Sequence, residues 1–517
     1  MEYLTITLSV VAIFTAIYYY YLKNLNVFKR YGIPHIPPKP IVGNFGPMMT
    51  MQSSITDIMQ KVYDHCPDAK YAGIYEFTRA TILLRDLDLI KSICVKNFDS
   101  FQDHQGFIHK KADPLFAGML FFLNSEEWKG QRNLVSPVFT SSKIKTMFKL
   151  MSACAVRFAD YLSKLPESDR EFELKSVLSK FTNDVIATCA FGIEVDTIKD
   201  PNNELFVKGK QAVNMSGFIT LMKQMVNRNI PFLANMLNLS FLPKNLAKFF
   251  EDLIIDTVKI RQEKGIYRPD MLQLLMDQSN KKEGKGLTNF NIASHAFGFY
   301  FGGFDSVAAQ TSFVFQMLAE NPDTQGKLQA EIDEVLENNN GQLTYEAISE
   351  MAYLDAVINE TMRLHSIAFF LDRVCNKAFE LPPAVPGAKP YTVQPGTSIW
   401  IPASSIHRDP KYYENPDKFE PERFVNDGKG IINSGAYIPF GAGPRMCIGN
   451  RFALTKMKVI ICHVLARCEI KLNPKIRIPL EMSTTSFAML PKNGFLLRVE
   501  PRKNIPTVNV DWINGIS

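Results

Sequence analysis

The segment Phe440-Gly441-Ala442-Gly443-Pro444-Arg445-Met446-Cys447-Ile448-Gly449 constrains this chain more than any other ten residues. It is rich in glycine, closes on a single cysteine, and leads into an apolar helical run from Asn450 to about Arg467. Glycines let a backbone turn tightly or approach a flat partner closely, and Pro444 stiffens the turn. A cysteine placed where a helix begins meets unpaired backbone N–H groups and the positive end of the helix dipole, which favour the thiolate. The fold must therefore present a rigid loop bearing one thiolate at the start of an apolar helix, an arrangement suited to a permanent ligand of haem iron. Cys66, Cys94, Cys154, Cys189, Cys375, Cys462 and Cys468 have no such frame and read as small buried hydrophobes. No Cys-x-x-Cys pair exists, which argues against a zinc or dithiol site, and the cysteine content gives no disulfide scaffold.

At 517 residues, 46% hydrophobic and 21% charged, the chain can bury a large core. Its 38 Phe against 3 Trp suit such a core or an aromatic-walled cavity. The net charge of +6 is too small a bias to point to nucleic acid. Leu4–Leu22 carries no formal charge and ends in Tyr18–Tyr21, a length and a flank that suit a bilayer span. A cleaved signal peptide would want a basic start and a small-residue cleavage site, and neither is present. Lys23, Lys29 and Arg30 follow the span and place the remainder in the cytosol. The expected organisation is a signal anchor over 1–22, a stiff proline-rich linker over 23–47 (Pro34, Pro37, Pro38, Pro40), and one domain over 48–517.

That domain reads as mainly α with a small β part. Its longest helix is predicted from Thr288, as N-cap, to about Glu320, before Asn321-Pro322. Strand-like segments occur at Lys70–Leu84, Thr392–Pro402 and Phe495–Val499. Inside the long helix lies Gly302-Gly303-Phe304-Asp305-Ser306-Val307, and adjacent glycines there cost about 1 kcal/mol each relative to Ala. They are explained either by close packing or by a groove for a small ligand. Glu360 and Arg363 share one helix face, Phe419-Glu420-Pro421-Glu422-Arg423-Phe424 follows downstream, and Trp128 and Arg132 stand one turn apart.

The cysteine loop resembles the haem-binding loop of the cytochrome P-450 monooxygenases, Phe-Gly-x-Gly-x-Arg-x-Cys-x-Gly, with Phe440, Gly441, Gly443, Arg445, Cys447 and Gly449 at the fixed positions. The other motifs follow in that family's order, and the resemblance covers nearly the whole chain after the anchor. It implies a cytochrome P-450 fold and haem b, with Cys447 as the axial ligand of the iron. Trp128, Arg132, Arg373 and Arg445 would meet the haem propionates, and Phe440 would lie beside the cofactor. Asp305 and Ser306 would be the acid and alcohol that deliver protons, with Ser at a position usually held by Thr. Glu360, Arg363 and Arg423 would form a buried structural triad. Close relatives often carry a further Arg before Trp128, where this chain has Asp103-His104-Gln105.

By position, the resemblance places Phe107, Phe121, Phe297, Phe301, Ile367, Phe369, Phe370, Phe487 and Met489 around an apolar substrate pocket. It implies an NADPH-dependent flavoprotein reductase as electron donor, cytochrome b5 as an optional second one, and residence in the endoplasmic reticulum membrane with the domain facing the cytosol. Lys129, Lys143, Lys145, Lys149, Lys456 and Lys458 are expected on a basic, reductase-facing surface. Phe218–Met222 and Ile230–Leu242 read first as core, with dipping into the membrane surface as the alternative. Lys389-Pro390-Tyr391 and Ile406–Pro410 lean toward insect members that act on xenobiotics. A haem-thiolate isomerase or dehydratase is one rival class, and the Asp305-Ser306 pair argues against it; a non-catalytic haem sensor or lipid binder is the other, and the oxygen groove and basic reductase face argue against that.

Overall fold

The computed structural model describes residues 2–279, 286–484 and 489–513, without the side chains of Glu2, Ile17, residues 20–24 and Ile513. The fold is mainly helical, with three small sheets. Helix α1 (Glu2–Leu25) is followed by the short α2 (Val27–Tyr31). Among the described residues no helix is long and apolar enough to cross a membrane. The stretch read as a linker is not free of the body. Phe28 of α2 is fully buried, against Tyr75, and His35 and Gly43 bridge to Gly73 and Glu76. The prolines keep that stretch extended, and its apolar side chains fasten it to the first sheet.

Five further helices matter before the middle of the chain: α3 (Ser125–Val135), α4 (Ser141–Ser163), α5 (Leu174–Ile186), α6 (Phe218–Asn229) and α7 (Pro231–Met236). Then come α8 (Asn289–Glu320), α9 (Ala352–Leu364), α10 (Glu422–Asn433) and α11 (Asn450–Leu465). The strands are β1 (Tyr71–Glu76), β2 (Arg79–Leu84), β3 (Glu171–Glu173), β4 (Leu371–Val374), β5 (Phe379–Leu381), β6 (Tyr391–Val393), β7 (Ser398–Ile401), β8 (Cys468–Leu472) and β9 (Leu496–Pro501). They form sheets in the orders β1-β2-β7-β4, β3-β9-β8 and β5-β6, in which only β2–β7 is parallel.

Helix α8 has the bounds its sequence predicts. Thr288 caps it through a reciprocal box with Asn291, and the chain turns at Asn321 before Pro322. Its 32 residues give a rod of about 48 Å. α8 packs along α5, and α11 along α4. Apolar residues gather in two clusters. One is helical and centred on α4, α5, α8 and α11; the other lies beneath the β1-β2-β7-β4 sheet. The main cavity lies between them, with Phe139, Ile186 and Phe452 from the first cluster and Met48, Phe369 and Trp400 from the second in its wall.

The exposed face of α6, α7 and the residue beyond them is apolar. Ile219 (73% exposed), Phe232 (78%) and Met236 (64%) lie open with Phe218, Ile230 and Leu237. The reading of these stretches as core holds for Leu221, Ala234 and Leu242, which are buried, and is corrected for the exposed side chains, which turn away from the body.

Candidate functional site

The cysteine loop is built by its own backbone. Cys447 N–H donates to the Phe440 carbonyl (2.8 Å), Met446 N–H to Gly443 (2.9 Å), and Gly441 N–H to Ile438 (3.0 Å). Gly443 has φ +72°, and a Cβ there would run into the Cys94 carbonyl, so glycine is required by both conformation and space. Two arginines brace the loop from outside, and a third, within the loop, ties it to its surroundings. Arg132 donates to the Met446 carbonyl (3.0 Å), Arg373 to that of Ala442 (3.0 Å), and Arg445 reaches out to the Gln102 carbonyl (2.7 Å).

Cys447 has exposed surface, but that surface faces the cavity it lines. Burial pushes the thiol pKa up, and a hydrogen bond from the Gly449 N–H and the Arg132 charge offset this only in part. The expectation that the helix start alone favours a thiolate is therefore corrected. Cys447 stands three residues before Asn450, outside the first turn of α11, where the dipole acts most strongly.

The cavity measures about 600 Å³. Trp128, Arg132, Arg373, Phe440, Arg445 and Cys447 all line it, as the sequence expected of cofactor-binding residues. Arg445 lies over the Trp128 ring at 4.1 Å, and burial, with Arg373 nearby, lowers its pKa to about 9. Two guanidinium nitrogens in this group, Arg373 Nε and Arg445 Nη1, are buried without a hydrogen-bond partner. Orphaned cationic donors are costly, and they mark where an anionic group belongs. The Asp103-His104-Gln105 stretch plays a different part from an extra Arg. Asp103 accepts from the Ser125 N–H and Oγ at the start of α3, and His104 Nδ1 meets Asp372 at 2.8 Å.

Helix α8 lines the same cavity with a stripe of His295, Gly298, Phe299, Gly302, Gly303 and Ser306, at helical spacing. The two central glycines have different surroundings. A Cβ on Gly302 would meet no atom within 4 Å, whereas one on Gly303 would press on Ile186 Cδ1 of α5 at 2.8 Å. Gly303 serves close helix packing, whereas Gly302 borders open space on the cavity side. The Ser306 hydroxyl donates to the Gly302 carbonyl. Asp305 is absent from the cavity wall and pairs with Lys175 of α5.

Of the expected pocket residues, Phe107, Phe121, Ile367, Phe369 and Phe370 line the cavity. Phe297 and Phe301 do not. One turn apart on α8, they face Phe116 at 5.5 and 5.1 Å, a step around the helix from the stripe. Met489 packs with the sheet-side cluster, and Phe487 lies outside the described residues. A polar corner in which Glu76 of β1 holds Arg228 of α6 at 2.9 Å has no signal in the sequence, because these side chains meet only through folding. The expected basic face is also corrected in part. Lys456 and Lys458 are buried, whereas Lys143, Lys145 and Lys149 are exposed on α4.

The expected triad is assembled. Glu360 and Arg363 on α9 are fully buried and joined at 2.7 and 2.9 Å, and Arg423 reaches Glu360 at 3.1 Å. Arg363 also binds the carbonyls of His407, Pro416 and Lys418, so the triad clamps the chain that leads to the cysteine loop.

The cytochrome P-450 family model matches residues 34–498. Cytochrome P-450 9e2 of Blattella germanica is 41% identical over 514 residues, covering 93% of this chain and 95% of the relative. Cytochrome P-450 9b2 of Drosophila melanogaster is 34% identical (97% and 100% covered), and cytochrome P-450 6B1 of Papilio polyxenes 32% (97% and 100%). The chain belongs to the cytochrome P-450 family. It is a monooxygenase of the type that carries haem b, and the three relatives just given are insect proteins. The residues present fit haem: a rigid loop with a cavity-facing thiol, two unpartnered buried guanidinium donors for the carboxylates, and an open groove at Gly302.

Proposed function

We propose that this protein inserts one atom of dioxygen into lipophilic small molecules, including xenobiotics, with electrons from NADPH delivered by a flavoprotein reductase. The observation that carries this reading is one cavity lined both by Cys447 and by Gly302 and Ser306. Haem b, when bound, supplies the iron at which dioxygen is reduced and one oxygen atom transferred. Cys447 is its thiolate ligand, since metal coordination deprotonates a thiol that burial would otherwise keep neutral. Arg132, Arg373 and Arg445 hold its carboxylates through guanidinium pairing, Trp128 packs beneath Arg445, and Phe440 flanks the thiol.

The second oxygen atom leaves as water and needs two protons. Ser306 passes them at the cavity surface through its Oγ–H, and Asp305, one residue earlier and held by Lys175, is the acid behind it. Phe107, Phe121, Ile367, Phe369 and Phe370 exclude water and hold the apolar substrate. Helix α1 anchors the protein in the endoplasmic reticulum membrane, with the body in the cytosol. The exposed apolar face of α6 and α7 rests on the same surface. The exposed lysines of α4 favour an acidic reductase, with cytochrome b5 as an alternative donor.

The test is turnover with reductase, NADPH and isotopically labelled dioxygen. One labelled oxygen atom per product molecule is expected. Product formed without NADPH, or without the label, would contradict the reading.

A further inference from the structure

Lys456 lies on α11, nine residues beyond Cys447, and is fully buried (0% exposed). Its ammonium donates to two backbone carbonyls at 2.9 Å each, Thr182 of α5 and Gly303 of α8. Among the described residues no carboxylate stands within ion-pair distance of it. Burying a lysine without such a partner is costly, and nothing in the site described above accounts for it.

Its place in the fold supplies a reason. Gly303 is where α8 approaches α5 closely enough to touch Ile186. The Lys456 bond ties that same peptide to α11, whose start carries the cysteine loop. One peptide thus joins three helices, and the neighbouring carbonyl, of Gly302, receives the Ser306 hydroxyl in the cavity. A helix carbonyl drawn toward an outside donor leans away from the helix axis.

We propose that Lys456 is a positioning residue for the oxygen chemistry: by pinning the Gly303 carbonyl to α5 and α11 it fixes where the Gly302 carbonyl and the Ser306 hydroxyl stand in the groove. The inference rests on the monooxygenase reading above. It has a consequence in pH. Burial lowers the Lys456 pKa to about 7, and the titratable groups facing it are Cys154 of α4, Asp184 of α5 and Cys189 just beyond α5. Asp184, raised by burial to about 6, is ionised above that pH and favours the lysine cation. A polar pocket of about 480 Å³, lined by Cys154, Arg157 and Asp184, brings solvent to this cluster. As pH rises through about 7, Lys456 loses its charge and one N–H donor, and the tie weakens.

The test uses the full-length holoprotein with its reductase and compares it with Lys456→Met, a swap of similar length without donors. Three quantities are read from about pH 6 to about pH 8.5: the carbon monoxide spectrum, the peroxide released per NADPH, and amide exchange in 298–307 relative to the rest of α8. The parent should show a peroxide share and a relative exchange that both rise through about pH 7. Lys456→Met should show both raised several-fold and flat with pH, with a thiolate-type spectrum intact. A variant with the parent's peroxide share and exchange overturns the proposal. If the variant does not fold, a parent whose relative exchange in 298–307 is flat with pH overturns it equally. Loss of the thiolate-type spectrum in the parent would instead strike the monooxygenase reading, and the exchange data would still judge Lys456.

Discussion

Gly302 and Gly303 are neighbours of one residue type with opposite surroundings, and substitution separates their roles. Gly302→Ala adds a methyl to open space and removes a helix-interior glycine, so it should stabilise the fold by up to ~1 kcal/mol while crowding the groove and lowering turnover. Gly303→Ala forces Ile186 to move and should cost about 1–3 kcal/mol through overpacking. Denaturant unfolding of the two variants checks both signs. At Ser306 the hydroxyl is present, but the methyl that restrains a threonine rotamer is missing. Ser306→Thr should lower the peroxide released per NADPH; an increase would contradict the proton-delivery role. At this scale the sequence was legible wherever a residue type is dictated by local backbone, as at Gly443, or by a motif, as at Cys447. It was not legible at Lys456, whose surroundings come from α4, α5 and α8, and a lysine in a sequence reads as surface until its neighbours are known.

The elements show the same division. The bounds of α8 were readable because Thr288, Asn291 and Pro322 act on adjacent backbone. The cavity face of α8 was not, because periodicity shows that one stripe is apolar without showing which neighbour it meets. Phe297 and Phe301 accordingly fell on the Phe116 side. Strands β1 and β2 were visible as one β-rich stretch, whereas β3 and β4 are three or four residues long and owe their state to partners more distant in sequence, β9 and β7. The α9–α10 clamp gives the prediction for this scale. Glu360→Ala leaves Arg363 and Arg423 without their buried carboxylate and should cost about 3–5 kcal/mol. The loss should appear as a lower unfolding midpoint together with faster haem loss, since the same clamp holds the approach to the cysteine loop.

The whole molecule depends on buried histidines that stay neutral. His365, His407 and His463 are pushed down to about 3 by burial, with nearby arginines adding to the effect. Between about pH 6.5 and about pH 3 the unfolded chain binds protons at these sites that the folded chain does not. Stability is therefore highest, as far as these groups decide it, above about pH 6.5, and falls as pH drops toward 3. His463→Gln should flatten that fall by up to ~1.4 kcal/mol per pH unit in the same window. The proposed membrane contact would also involve the whole chain. A protein lacking residues 2–25 should still bind vesicles through α6 and α7, and adding Ile219→Ser with Phe232→Ser should weaken this residual binding at least tenfold. Flotation that is unchanged by the two substitutions would refute the proposed contact.

The proposed function requires Cys447 as a thiolate ligand of haem iron. The most direct test is the spectrum of the reduced protein under carbon monoxide, recorded for the parent and for Cys447→Ala. The parent should give the strongly red-shifted Soret band of thiolate-ligated haem, and the variant should lose it. An ordinary haem band in the parent, no bound haem, or a red-shifted band that survives in Cys447→Ala would contradict the account.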